Sequence, residues 1–195
     1  MRIIVTQNIT LDGRIEMLDD WFDPADQDEE VLAVNRELSA RQDVLLLGRE
    51  TFEALRGYWP ARTDDTTGVS ADLDRSDKRV ITSTLTRAAW QNTTLLDRDP
   101  LDVARELRAG PAGEVCVTGS IQLTHALAAA HLVDEFRLFT YPVWQGRGRG
   151  LFPEGATTPR MRVLEARTFR CGVGYTALVP AHVEPSHAGE PEVAA

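Results

Sequence analysis

Apolar and polar positions along this chain change period several times, and each change predicts an element. "RIIVTQNI" is β-branched and apolar and breaks at the Asp12–Gly13 pair, a tight-bend signal, so a first strand is predicted there. Asp26 and Glu29 stand in a capping-box-like relation, and Val31, Val34 and Leu38 then recur at helical spacing, which predicts a helix over roughly residues 27–41. "DVLLLG" is short and uniformly apolar, as a strand buried on both faces must be, and "RETFEALR" follows it with helix formers and neither Gly nor Pro.

Residues 61–78 are polar and aperiodic and predict a surface loop with one helical turn. "RVITST" returns to strand, and "TTLL" offers another. Asp99 and Pro100 suit an N-cap and first helical position, Val103 and Leu107 lie one turn apart, and Gly110 ends the run. "EVCVTG" reads as a buried strand, "IQLTHALAAAHL" as a helix with Leu123 and Leu127 on one face, and "EFRLFTYPVW" as a long strand. "MRVLEARTF" and "CGVGYTALV" complete the pattern as an antiparallel hairpin. Strand and helix alternate as in an α/β sheet with right-handed crossovers. One domain over residues 1–180 is expected, followed by a disordered tail, 181–195.

Composition narrows the function classes. The 195 residues carry a net charge of -9, which argues against a nucleic-acid partner, because a duplex must be met by a concentrated basic face. No apolar run reaches the ~18 residues of a membrane span and no signal sequence opens the chain, so a cytoplasmic location is expected. His125, His131, His182 and His187 lack metal-site spacing, and no metal is expected. Cys116 and Cys171 lie in apolar runs, where a disulfide between them stays open.

Candidate chemistry gathers where strands end. "LLLGRET", "VITSTLT" and "VCVTGSIQL" each leave an apolar strand through glycine or hydroxyl residues, and two of them open helices. In a parallel sheet such ends share one edge, where ligands bind, and a helix N-terminus offers free N–H groups to phosphate. A glycine at such a corner also serves the turn alone. Arg49, at the start of a helix, adds a group able to pair bidentately with phosphate. Trp21, Phe52 and Trp144 are candidates for an aromatic wall against a flat substrate, with plain core packing as the other reading.

These motifs, "NITLDG", "LLLGRETFEAL", "KRVITSTLT" and "VTGSIQLTHALAAAHLVDEFRLFTYPVWQGRGRGLF", resemble the dihydrofolate-reductase-like proteins. They are most similar to the branch related to the reductase domain of the bifunctional riboflavin-biosynthesis deaminase-reductase. The resemblance implies an α/β, three-layer fold: a central mostly parallel sheet with a C-terminal antiparallel hairpin, flanked by helices. It also implies NADPH lying across the strand ends. Gly48, Arg49 and Thr51 match the segment that holds cofactor phosphates. Thr82, Ser83 and Thr84 match the strand end near the adenosine 2′-phosphate. Gly119, Ser120, Ile121, Gln122 and Leu123 match the segment beneath pyrophosphate and nicotinamide. Thr140 falls beside the expected substrate, and Asp12, in the loop near the nicotinamide, is the choice for a proton path. The Gly119–Ser120 corner replaces a Gly-Gly pair whose peptide bond is cis in dihydrofolate reductases. Departures from the family pattern stand at Val31 and Leu32, where dihydrofolate reductases have a carboxylate nearby, and at Leu55 and Val117, where the riboflavin-pathway reductases carry acidic residues.

The implied activity is an NADPH-dependent reductase acting on a C=N or C=O bond of a small pterin- or pyrimidine-like molecule. The alternative is a nucleotide-binding module without turnover on the same fold. A homodimer is a further expectation of the resemblance.

Overall fold

A computed structural model of the chain describes residues 1–24, 27–155 and 160–181. The strands β1 (Arg2–Thr10), β2 (Gln42–Gly48), β3 (Asp77–Ile81), β4 (Thr93–Leu96), β5 (Glu114–Thr118), β6 (Glu135–Tyr141), β7 (Met161–Thr168) and β8 (Gly174–Pro180) form one sheet in the order β4-β3-β2-β5-β1-β6-β8-β7. The pairings from β4 through β6 are parallel, while β8 runs antiparallel to both β6 and β7. The helices are α1 (Glu29–Arg41), α2 (Arg49–Tyr58), α3 (Val69–Arg75), α4 (Pro100–Ala109) and α5 (Ile121–Ala129). This is the α/β architecture that the alternating pattern and the family resemblance imply.

Alternation along the central strands explains why both sheet faces are covered. Val44 and Leu46 of β2 join Ile3, Val5, Val115 and Val117 in a core closed by Val103, Ala104 and Leu107 of α4 and Leu123 and Leu127 of α5. Leu45 and Leu47, one residue out of phase, pack on the other face with Phe52 of α2 and Val80. Farther along that face, Val31 and Val34 of α1 meet Phe139, Tyr175 and Ala177. A period of two thus sends one apolar run into two cores.

Several boundaries differ from the pattern reading. The N-cap of α1 is Asp28, whose carboxylate accepts from Glu30 N at 2.8 Å, and Asp26 lies outside the described residues. The helical turn in the 61–78 loop is α3, seven residues long. Strand β6 stops at Tyr141 rather than Trp144, because Pro142 has no N–H to give the ladder. The expected tail beyond Ala181, with His182 and His187, also lies outside the described residues. Cys116 and Cys171 are both free, one half-buried on β5 and the other exposed. No helix among the described residues is long and apolar enough to cross a membrane.

Candidate active site

Parallel pairing of β3, β2, β5 and β1 puts their carboxyl ends on one edge, and the three small-residue corners meet there. Gly48, Arg49, Ser83, Gly119 and Ser120 all line one cavity of about 1080 Å³. It continues from this edge down the sheet face beneath α1, past Thr6, Asn8, Leu32, Asn35 and Ser39.

Two cross-strand hydrogen bonds lock the central corner. Ser120 N donates to Thr51 Oγ1 at 2.7 Å, and Gly48 N donates to Ser120 Oγ at 2.9 Å, so each corner satisfies a backbone donor of the other. Gly119 and Ser120 hold φ of +59° and +33°, two consecutive left-handed residues that turn β5 sharply into α5. Their peptide bond is trans, like every other among the described residues. Gln7 of β1, only 4% exposed, donates from Nε2 to Gly119 O at 2.8 Å and fixes the corner from below.

The resulting donor set suits an anion. Neither α2 nor α5 has a side-chain cap, and Ile121, Gln122 and Leu123, which carry the uncapped first-turn N–H groups of α5, line the cavity. Arg49 stands beside them, parked on Glu53 Oε2 at 2.7 Å and Glu50 Oε1 at 3.4 Å. At the β3 end, Thr82 Oγ1 accepts from Thr84 N and Leu85 N at 3.2 and 3.1 Å, which shapes the turn and leaves Ser83 and Thr84 exposed at the cavity wall. A dinucleotide's phosphates fit these residues. Thr51, matched by resemblance to a phosphate contact, lines the cavity, and its Oγ1 accepts from Ser120 N, which leaves the hydroxyl hydrogen free to donate.

The substrate-side candidates fare differently. Phe52 has no exposed surface, because on α2 it faces Leu45 and Leu47, so it is core and not a substrate wall. Trp144 is 80% exposed and Trp21 donates from Nε1 to Gln145 Oε1 and packs at a tilt against Tyr141; both are outside the cavity lining. Thr140 lies between Ile9 and Gly174 in the ladder and does not line the cavity. Asp12 is a loop clamp: its carboxylate accepts from Thr10 Oγ1 at 2.6 Å, Gln145 N at 3.1 Å and Gly146 N at 2.9 Å. These bonds hold its pKa far below the usual carboxylate range, so it stays ionised and outside the cavity, unsuited to a proton path.

Residues that the sequence reading passed over do line the cavity: Asn8, Asn35, Glu16, Arg137 and Arg149. Arg137, a buried charge on β6, reaches across β1 to both oxygens of Glu114 at 2.8 Å and to Glu135 Oε1 at 2.6 Å. The arginine pulls the Glu114 carboxyl below its usual value even though burial opposes this.

Comparison with known proteins gives the family and the fold. The model of the RibD C-terminal domain matches residues 1–175. The uncharacterised protein YyaP of Bacillus subtilis strain 168 is 28% identical over 173 residues, covering 88% of this chain and 91% of that protein. Among solved structures, a riboflavin-biosynthesis candidate from Shewanella sp. PV-4 superposes with a TM-score of 0.71 at 20% identity, covering 93% of this chain and 100% of the other. A pyrimidine reductase-like protein of Corynebacterium diphtheriae gives 0.67 at 12% identity, over 93% and 92% of the two chains. The diaminohydroxyphosphoribosylaminopyrimidine deaminase/5-amino-6-(5-phosphoribosylamino)uracil reductase of Thermotoga maritima gives 0.64 at 16% identity, over 92% of this chain and 56% of that one.

Proposed function

The chain belongs to the family of the RibD C-terminal domain, and from that premise we propose that it is an NADPH-dependent reductase of a small, pyrimidine- or pterin-like molecule bearing a C=N or C=O bond. The observation that carries the reading is the extent of the cavity. At about 1080 Å³ it lies just above the ~300–1000 Å³ usual for ligand sites, and its lining changes in chemistry from the strand ends to the region beneath α1. The part at the strand ends offers Arg49, Ser83, Thr84 and the first turn of α5 to a chain of phosphates. The part beneath α1 is lined by Leu32 and Leu38, by the neutral polar groups of Thr6, Asn8 and Asn35 and by the charged Arg36 and the paired Arg137 and Glu114, which suits a flat polar ring. When bound, the dinucleotide supplies a hydride. The protein orients the two molecules and limits the water between them.

Among the carboxylates that line the cavity, Glu16 and Glu114 are each held below the usual range by an arginine partner, and water entering the cavity is the proposed proton source. The same observation favours a second reading, a module that binds the dinucleotide without turnover. A thermal-shift titration with NADPH and NADH tests occupancy, since a ligand specific for the native state raises the midpoint with its concentration. NADPH consumption on pterins, pyrimidines and quinones then separates the readings. A dose-dependent shift with turnover supports the reductase; a shift without turnover supports the module; no shift sinks both.

A further inference from the structure

Arg149 lies in the segment after β6, within the "WQGRGRGLF" stretch. That segment is zipped to the loop after β1. Arg14 and Gly150 form an antiparallel bridge, Ile15 N donates to Arg149 O at 3.0 Å, and Leu151 N donates to Gly13 O at 3.0 Å. His125 on α5 fastens the same segment through a ring nitrogen 2.8 Å from Gly150 O. Arg149 is thereby anchored beside α5, and it lines the cavity with Arg49, Ile121 and Gln122.

Its present partner is Glu16. Arg149 Nη2 and Nε donate to Glu16 Oε1 at 2.5 and 3.0 Å, and Arg149 N donates to Glu16 Oε2 at 2.9 Å. The two side chains are 45% and 25% exposed, so water competes for both charges and the guanidinium can leave this pairing readily. Arg137 lines the same cavity but is 4% exposed and locked between Glu114 and Glu135, and it cannot be recruited in this way.

We propose that Arg149 is a second phosphate-binding arginine at the α5 corner, and that Glu16 occupies it until a diphosphate draws the guanidinium away. A planar guanidinium pairs more strongly with a dianionic, bidentate diphosphate than with one solvated carboxylate. The loop keeps its place meanwhile, because the Arg14–Gly150 bridge and the Ile15 and Leu151 bonds do not use either side chain. The proposal rests on the dinucleotide reading above and assigns one more side chain to it.

Calorimetric titration of wild type, Arg149→Ala and Glu16→Gln with NADPH, and separately with inorganic pyrophosphate, tests it. Circular dichroism checks that each variant is folded. Arg149→Ala should weaken both ligands about tenfold, the loss of one charge-assisted contact. Glu16→Gln, which keeps an acceptor for Arg149 N but removes the competing charge, should tighten both severalfold. Parallel weakening in the two variants would mean that the pair merely pins the loop, and overturns the proposal; so does unchanged affinity in Arg149→Ala. If wild type binds pyrophosphate but not NADPH, the dinucleotide reading fails while Arg149 is judged on pyrophosphate alone. If it binds neither, both fall.

Discussion

Thr51 fills the space where a side chain on Gly119 would begin: a Cβ added there stands 2.8 Å from Thr51 Cγ2 and 3.0 Å from Oγ1. Gly119 also needs φ of +59°, so alanine meets a conformational and a steric penalty together. Gly119→Ala should lower the unfolding free energy by about 2–5 kcal/mol, measured by urea denaturation. Adding Thr51→Ser removes Cγ2 while keeping the acceptor for Ser120 N, and it should recover part of that loss. No recovery would mean that the backbone conformation alone sets the cost.

Removing Arg137 should be harmful out of proportion to its distance from the strand ends. It is the shared partner of Glu114 and Glu135 at the cavity wall, and Arg137→Met leaves Glu114 without its bidentate partner while Glu135 keeps only Arg2. A loss of about 3–5 kcal/mol is expected in chemical denaturation. The pH dependence has a definite sign. Because the folded-state pKa of Glu114 is depressed, its contribution is present above the unfolded value near ~4.3 and is lost as pH falls through the folded value. An acid titration of wild type should show this loss, and Arg137→Met should show less of it.

Strand phase was legible in the sequence wherever one residue type dominated an element. "DVLLLG" announced burial on both faces, and the breaks to glycine and hydroxyl residues at Gly48, Thr82 and Gly119 marked the edge where the cavity lies. Gln7 and Arg137 were illegible because a polar residue in an apolar strand reads as facing water, and their partners are 112 and 23 residues away, across neighbouring strands. For Phe52 the sequence left a substrate wall and core packing both open, because an aromatic near a strand end suits either; α2 turns it inward into the core while Arg49 remains at the cavity. Asp12 carried the right residue type for proton transfer, and only the three-dimensional arrangement reveals that its oxygens are committed to Thr10, Gln145 and Gly146.

The two thiols should differ sharply in reactivity. Desolvation pushes the Cys116 thiol up to about 11, while Cys171 is exposed. Against a normal value near ~8.5–9, a rise of that size cuts the thiolate fraction at pH 8 about a hundredfold. Iodoacetamide at pH 8 should therefore alkylate Cys171 first, with Cys116 modified only as pH approaches 11 or on unfolding. Equal labelling of both sites at pH 8, read by peptide mass, would contradict the desolvated environment on β5.

Lys78, the one lysine of the chain, is wholly buried and serves structure rather than phosphate binding. Its ammonium donates to Leu73 O at 2.5 Å and Ser76 O at 3.0 Å and lies 4.8 Å from the Trp90 ring centroid, while Trp90 Nε1 is itself held by Asp74. Burial lowers the Lys78 pKa, and Asp74 and Asp77 oppose that shift. Lys78→Met keeps most of the volume but strands two carbonyls, a cost of about 1–3 kcal/mol in denaturant midpoint experiments. Because Lys78 does not line the cavity, the midpoint rise produced by NADPH should match that of wild type. An amine-reactive reagent gives an independent reading: the native protein should label at its N-terminus and the urea-unfolded protein at Lys78 as well. Rapid labelling of Lys78 in the native state would place it in solvent and contradict its structural role.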